Sequence, residues 1–212
     1  DEDHNSTART EIYIPKVDPG TFAKSLEEAS YNHINVVINR GTVHASMEKQ
    51  KKWLGTVLAH DINTLVLVGG SSSKIKYPGP SVLEMGHYIE KHYKEKIFCG
   101  GIAIQTRRCH EKEKDEPFRI YTKSLHGINF FTTQIIYDPI SIKLFLRDYA
   151  NVCAAYKSAP KRIVLSFAPV STKKDLEFLR WLGVVIPKTM EQELFKADIG
   201  IGWRSIKIAA HI

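Results

Sequence analysis

The chain has 212 residues, of which 43% are hydrophobic and 25% are charged, values typical of a globular protein. This composition excludes a disordered chain, a fibrous repeat and a miniprotein held together by disulfides. The formal net charge is +7, but the basic residues are scattered, so no nucleic-acid partner is expected. No apolar run reaches the roughly 18 residues of a membrane-spanning helix, so no membrane partner is expected either.

Short β-branched runs alternate with longer amphipathic stretches along the chain. The predicted strands are 34–39, 64–68, 97–104, 129–137 and 162–167. The predicted helices are 46–59, 81–93, 116–125, 140–156 and 173–182. The strands are apolar without strict alternation, as expected for strands that are buried on both faces. Ser46 and Ser81 are predicted N-caps, and Gly127 is a predicted C-cap.

The spacing between the strand starts is nearly constant, at 30, 33, 32 and 33 residues. A regular βα repeat predicts parallel strands joined by right-handed crossovers. The two architectures with this order are an open doubly wound sheet and a (β/α)₈ barrel of the TIM type. The constant repeat favours the barrel, and because the chain shows fewer strands than a barrel needs, the barrel is expected to be incomplete. We therefore predict a single α/β barrel domain, or a fragment of one, over residues 1–212.

The three cysteines, Cys99, Cys109 and Cys153, lie far apart and form no CxxC pair. This spacing does not suit a zinc ribbon, so no metal site is predicted. Scattered cysteines in odd number favour a reducing compartment, and we expect a cytoplasmic location.

Two segments rich in small residues follow the second strand, 69–73 (GGSSS) and 77–81 (YPGPS). Small residues let a ligand approach the backbone, and successive N–H groups can hold a phosphate. A tight turn with a flexible loop is the alternative, because the segments contain neither a GxGxxG nor a Walker motif. After the third strand, Arg107 and Arg108 present the same choice between an anion site and a solvated loop.

Gln134 is the most informative polar residue of the predicted strands. It shares a strand face with Thr132 and Ile136, and a buried amide needs hydrogen-bond partners. A ligand or a residue of a neighbouring strand can supply them. Glu116 and Lys123, by contrast, are expected at the surface on propensity alone.

Taken together, these segments resemble the methylenetetrahydrofolate reductase family. The strongest match is 129–138 (NFFTTQIIYD), which is similar to the family's xITQxFFD strand. Residues 168–171 (APVS), followed by a helix and by 185–187 (VIP), resemble the family's MPVS and RIP segments. Residues 65–70 are placed like its LRGD strand end.

The resemblance implies a barrel that binds FAD non-covalently at the carboxyl ends of its strands. It also implies hydride transfer through the flavin between NADH or NADPH and a folate one-carbon unit, so the implied substrate is a folate-like small molecule. Gln134 is implied to contact the pterin beside the flavin as the catalytic residue, and Asp175 to bind the substrate. The residues implied to bind FAD are Gly70, Ser71, Tyr77, Ser81, Glu116 and Lys123. Members of the family are often oligomers, which leaves a homo-oligomer open.

Four departures from the family pattern bear on function. Ser71 replaces an aspartate and lacks its charge, Asp175 replaces a glutamine, and Glu116 replaces an aspartate. Residues 103–105 stand where the family has a Tyr-Pro. A non-catalytic, reductase-like barrel that acts as a regulatory or assembly subunit is therefore the alternative. A nucleotide-binding protein with an open sheet is a further alternative. The absence of a glycine-rich nucleotide-binding motif after the first strand argues against it.

The motif register matches the visible strands to strands three to seven of the family's barrel. Two strands would then precede Asp1 and one would follow Ile212, so the sequence is expected to be part of a longer chain.

Overall fold

The structure is a computed structural model that describes residues 17–31, 33–70, 75–196 and 200–212. Strands and helices alternate through most of these residues. The strands are β1 (Ile38–Gly41), β2 (Thr64–Val68), β3 (Phe98–Ala103), β4 (Phe130–Ile135) and β5 (Arg162–Ser166). The helices are α1 (Pro19–Ala29), α2 (Met47–Ala59), α3 (Val82–Tyr93), α4 (Glu116–Ser124), α5 (Pro139–Ala155), α6 (Lys173–Trp181), α7 (Lys188–Leu194) and α8 (Ile201–His211).

The five strands form a parallel sheet in the order β1-β2-β3-β4-β5. Ile38 of β1 lies opposite Leu65 of β2, and Thr64 of β2 lies opposite Phe98 of β3. A helix connects each strand to the next, as parallel neighbours require. The α/β fold predicted from the alternation of strands and helices is confirmed, whereas closure into a barrel stays a prediction.

Four strands lie within two residues of their predicted bounds, but β1 begins later than predicted. The predicted run was 34–39, and the observed strand is Ile38–Gly41. Ile34 and Val37 are 45% and 46% exposed. Pairing with β2 sets the extent of this edge strand, so the apolar residues before it do not belong to the ladder. Three helices, α1, α7 and α8, lie outside the predicted helical ranges.

One compact unit, called here the amino-terminal unit, contains the described residues up to Ile102 together with Lys123–Phe131. Its most deeply buried side chains include Leu54, Val57, Ile62, Leu65, Leu67, Met85, Ile89, Cys99, Ile128 and Phe131. Asp18 fastens α1 to α2, because it caps α1 and also accepts a hydrogen bond from Trp53 Nε1 at 3.0 Å. Gly127 adopts a φ of +82°, and a Cβ there would lie 2.6 Å from the Gly86 carbonyl oxygen, so glycine is required.

A second compact unit, the carboxy-terminal unit, contains Ala103–Thr122 and Thr132–Ile212. Its apolar cluster consists of Tyr137, Val170, Leu176, Leu179, Val184, Ile186, Leu194 and Ile208. Asp138 caps α5 by accepting hydrogen bonds from the N–H groups of Ile140 and Ser141 at 2.9 and 3.2 Å. None of the described helices has both the length and the apolar character needed to cross a bilayer.

Candidate functional site

Gln134 lies near the carboxyl end of β4, and its side chain is half-buried. Its Nε2 donates a hydrogen bond to the carbonyl oxygen of Leu182 at 3.2 Å. Its Oε1 accepts a hydrogen bond from the N–H of Ile135 at 3.0 Å. Leu182 is the C-cap of α6. The hydrogen-bond partner of the Gln134 amide nitrogen therefore comes from a helix end, and not from a ligand or a neighbouring strand as the sequence suggests.

Gln105 follows β3 closely and is only 3% exposed. Its Nε2 donates long hydrogen bonds to the carbonyl oxygens of Gln134 and Ile135, at 3.3 and 3.4 Å. Its Oε1 is buried and has no hydrogen-bond partner among the described residues. Since buried polar atoms are usually paired, this oxygen is an acceptor suited to a water or to a ligand N–H. The sequence did not mark Gln105 as a site residue, although a glutamine directly after an apolar strand was the available signal.

Asp175 lies in the first turn of α6 and forms a capping box with Thr172. Its carboxylate accepts hydrogen bonds from the N–H groups of Ser171 and Thr172, at 2.9 and 2.8 Å, and these bonds lower the pKa of Asp175. Tyr137 donates its hydroxyl hydrogen to the Ala168 carbonyl oxygen at 2.5 Å. Burial, and then the charge of Asp175, raise the pKa of Tyr137 to about 12. Asp175 therefore has a capping role, and its binding of substrate stays a prediction.

Glu116 begins α4 and is fully buried, which contradicts the surface position expected from propensity. One carboxylate oxygen accepts a hydrogen bond from the N–H of Ile104 at 3.1 Å. The other oxygen lies 3.3 Å from Arg107 Nη1 and 3.4 Å from Arg119 Nε. The expectation was wrong because these groups replace water around the carboxylate.

Arg108 forms ion pairs with two carboxylates. Its Nε lies 3.1 Å from Asp115 Oδ1, and its Nη2 lies 2.8 Å from Asp148 Oδ2. The hydrogen bond to Asp148 raises the pKa of Arg108 and lowers the pKa of Asp148. Since Arg107 is paired with Glu116, neither arginine has the unshared charge expected of an anion site at this strand end.

Lys123 lies in the last turn of α4, within the amino-terminal unit. Its Nζ donates a hydrogen bond to the carbonyl oxygen of Ile102 at 2.7 Å. The ammonium group thus has a partner within the amino-terminal unit, and its role in binding FAD stays a prediction.

The loop after β2 packs against the segment that follows β1. A Cβ at Gly70 would lie 2.3 Å from the ring of Tyr77, so only glycine allows this ring to lie against the backbone. The ring of Tyr77 also packs edge-on against the ring of His44, and the two ring centroids are 5.4 Å apart. Gly79 donates its N–H to the Val43 carbonyl oxygen at 2.8 Å. The close approach predicted at Gly70 is therefore made by an aromatic side chain of the chain itself.

Ser81 is the N-cap of α3, as predicted. Its hydroxyl accepts a hydrogen bond from the N–H of Glu84 at 3.2 Å, and the Glu84 carboxylate accepts one from the N–H of Ser81 at 2.7 Å. The second bond lowers the pKa of Glu84. Ser71 lies outside the described residues.

The predicted site residues fall in both units. The amino-terminal unit contains Gly70, Tyr77, Ser81 and Lys123, and the carboxy-terminal unit contains Glu116, Gln134 and Asp175. Within the carboxy-terminal unit, α6 carries Asp175 in its first turn and ends at the carbonyl group that binds Gln134. In the part of the chain that the structure describes, no three His, Cys, Asp or Glu side chains are grouped as metal ligands.

No protein-family model and no curated protein matches the chain. Among solved structures, the chain is similar to an uncharacterised protein from Clostridium thermocellum that binds two copies of 5-methyl-5,6,7,8-tetrahydrofolic acid. The TM-score is 0.73 and the sequence identity is 24%, over 95% of this chain. The chain spans 66% of the length of that protein. The similarity shows that the two proteins share an α/β fold over this length.

Proposed function

We propose that this chain binds a reduced folate, with Gln134 contacting the pterin and Asp175 supporting the rest of the ligand. The observation that carries the proposal is the position of Gln134, a half-buried amide near the carboxyl end of a parallel strand. Ligands of open α/β sheets and of α/β barrels bind at such ends. The folate-binding protein of similar fold supports the same ligand class.

An amide is chemically suited to a pterin because it offers both a donor and an acceptor to the edge of a heterocycle. Gln105 adds a buried acceptor that has no partner among the described residues, and it contacts the backbone of Gln134. Gln134 Nε2 carries two hydrogens, and the Leu182 carbonyl oxygen accepts only one of them, so the other can be donated to a ligand. The ligand must therefore offer an acceptor at that point, as a pterin does.

Membership of the methylenetetrahydrofolate reductase family, on a complete (β/α)₈ barrel, is the finer proposal. When bound, FAD would supply hydride transfer between NADH or NADPH and the folate. The side chains expected to hold FAD are engaged elsewhere in this structure: Glu116 is enclosed by Ile104 and Arg107, and Lys123 is bonded to Ile102. Both side chains thus already have partners within the chain, and no step through a flavin follows from these contacts.

The engagement of these side chains favours a second candidate, a folate-binding subunit without catalytic activity that regulates or assembles with a partner. The visible spectrum of the purified protein distinguishes the two candidates. A flavin absorbance that bleaches on addition of NADH or NADPH supports the oxidoreductase. Colourless protein that FAD does not reconstitute supports the non-catalytic subunit.

Folate binding itself is tested by calorimetric titration with 5-methyltetrahydrofolate. We expect Gln134→Leu to weaken binding about threefold to thirtyfold, the range for the loss of one or two hydrogen bonds. Asn151→Ala removes an exposed amide from α5 and should leave the affinity unchanged. Thermal unfolding of each variant separates loss of binding from loss of the Leu182 contact. Absence of binding by the unmodified chain, or equal affinity of Gln134→Leu, would contradict the proposal.

A further inference from the structure

Gln105 carries a buried hydrogen-bond acceptor that has no partner among the described residues. The side chain is 3% exposed, and its Oε1 is buried without a hydrogen bond. Unpaired polar atoms are rare in protein interiors because each one lowers stability, so such an atom calls for a partner. Residues 103–105 stand where the family that the sequence resembles has a Tyr-Pro, so this acceptor is a departure from the family pattern.

The nitrogen of the Gln105 amide determines which way its oxygen faces. Nε2 donates to the carbonyl oxygens of Gln134 and Ile135, at 3.3 and 3.4 Å. An amide turned the other way would place its own oxygen against these two carbonyl oxygens, so Oε1 faces away from the backbone of β4. Because the nitrogen is engaged with the carbonyl groups, Gln105 offers a ligand an acceptor rather than a donor.

Gln105 and Gln134 lie at the same end of neighbouring strands. Gln105 comes two residues after the end of β3, and Gln134 is the second-last residue of β4. The two strands are adjacent in the parallel sheet, and neighbouring strands lie about 5 Å apart. A bicyclic ring that contacts the Gln134 amide is therefore wide enough to reach Gln105 as well.

The two amides suit different parts of a pterin. The amino and oxo groups of its first ring present donors and acceptors side by side, which suits an amide such as Gln134. The N8 atom lies in the other ring, and its hydrogen-bonding character depends on the oxidation state. In dihydropterins and tetrahydropterins N8 carries a hydrogen, whereas in folic acid N8 is itself an acceptor. An acceptor without a donor therefore binds the reduced forms and disfavours the oxidised form.

We propose that Gln105 selects the oxidation state of the folate, because its Oε1 accepts a hydrogen bond from the N8–H group of the reduced pterin. The inference rests on the proposed folate binding and names a specificity-determining residue of that site. Since Oε1 is already shielded from water, binding a reduced folate requires no desolvation of this acceptor. Folic acid offers no hydrogen at N8 and would leave the oxygen unpaired, and a site with an unpaired polar atom discriminates strongly.

The test is calorimetric titration of the full chain with 5-methyltetrahydrofolate, 7,8-dihydrofolate and folic acid. The last two carry the same glutamate and differ only in the hydrogens at C7 and N8. We expect both reduced compounds to bind the unmodified chain about tenfold to hundredfold more tightly than folic acid. Q105M keeps the length of the side chain and removes the amide, and it should reduce this ratio to below about threefold. The control Q192M removes an exposed amide from α7 and should leave the ratio unchanged.

The ratio of affinities separates selectivity from stability, because a general loss of folding weakens all three ligands together. If Q105M keeps the ratio, or weakens the three ligands equally, the assignment to N8 is overturned and the proposed function stands. An equal loss of the ratio in Q192M would also overturn it. If the unmodified chain binds none of the three, the proposed function fails as well.

A second measurement needs no variant and applies even where Q105M does not fold. 8-Deazatetrahydrofolate has carbon in place of N8 and keeps the amino and oxo groups. We expect the unmodified chain to bind it about tenfold to hundredfold more weakly than tetrahydrofolate. Equal affinity for the two compounds would show that N8–H makes no hydrogen bond and would overturn the proposal.

Discussion

Replacing Glu116 with glutamine tests whether this side chain serves the fold or a bound flavin. The carboxylate is fully buried between the N–H of Ile104 and the guanidinium groups of Arg107 and Arg119. Glutamine has nearly the same shape and keeps one acceptor for Ile104. It removes the negative charge and directs an amide NH₂ group toward a guanidinium group.

The expected loss of stability follows from the exposure of the two arginines. Removing one member of a buried ion pair costs about 3–5 kcal/mol when the other charge stays buried. The side chains of Arg107 and Arg119 are 33% and 42% exposed, so water stabilises part of their charge. With the Ile104 hydrogen bond retained, we expect Glu116→Gln to lower the free energy of unfolding by about 1–3 kcal/mol.

The assay is urea unfolding followed by the fluorescence of the three tryptophans. Glu113→Gln is the matched control, because Glu113 lies in the exposed 3₁₀ turn Lys112–Lys114 and carries the same charge. The control should stay within about 0.5 kcal/mol of the unmodified chain. An unchanged free energy of unfolding in Glu116→Gln, together with loss of a flavin absorbance, would refute the structural role and restore the role in binding FAD.

Two further predictions concern packing and thiol chemistry. Gly79→Ala places a Cβ 2.2 Å from the Ala45 carbonyl oxygen and should destabilise the chain by about 1–3 kcal/mol. A Cβ at Gly55 has no atom within 4 Å, so the control Gly55→Ala should stabilise the chain slightly. Equal midpoints of urea unfolding for the two variants would contradict this reasoning. Burial raises the pKa of Cys99 from 9.0 to about 12, so Cys109, which is partly exposed, should react first with a disulfide reagent and Cys99 only on unfolding. The folded chain also holds the Cys99 proton more tightly than the unfolded chain does. The contribution of this thiol to the free energy of unfolding is therefore complete below about pH 9 and falls as the pH rises toward 12. Urea unfolding measured across that pH range would detect the decrease.

The strands were predictable because β-branched runs at a constant spacing leave little choice of fold. Thr64–Val68 matches its predicted bounds, since it is an interior strand of the sheet whose middle three residues are buried. The start of β1 could not be predicted, because it depends on where β2 supplies partners and not on the apolar character of residues 34–37. α7 is seven residues long and begins directly after Pro187, and so short a segment gives no clear helical period.

The contacts at the candidate site were less predictable, because their partners are distant in sequence. From residue propensity alone, Glu116 is expected at the surface. It can be buried because the folded chain brings the N–H of Ile104 and the guanidinium group of Arg107 to its carboxylate. The need of Gln134 for a partner was foreseen from its place in an apolar strand. The identity of that partner was not, since Leu182 lies 48 residues away.

The bond between Gln134 and Leu182 determines how the Gln134 amide is held for a ligand. The Nε2 group carries two hydrogens, and the Leu182 carbonyl oxygen accepts one of them at 3.2 Å. A pterin that accepts the second hydrogen therefore leaves this bond in place, and the bond fixes the orientation of the amide. Leu182 is also the C-cap of α6, whose first turn carries Asp175. We therefore expect Gln134→Leu to weaken folate binding both by removing the amide and by releasing this end of α6.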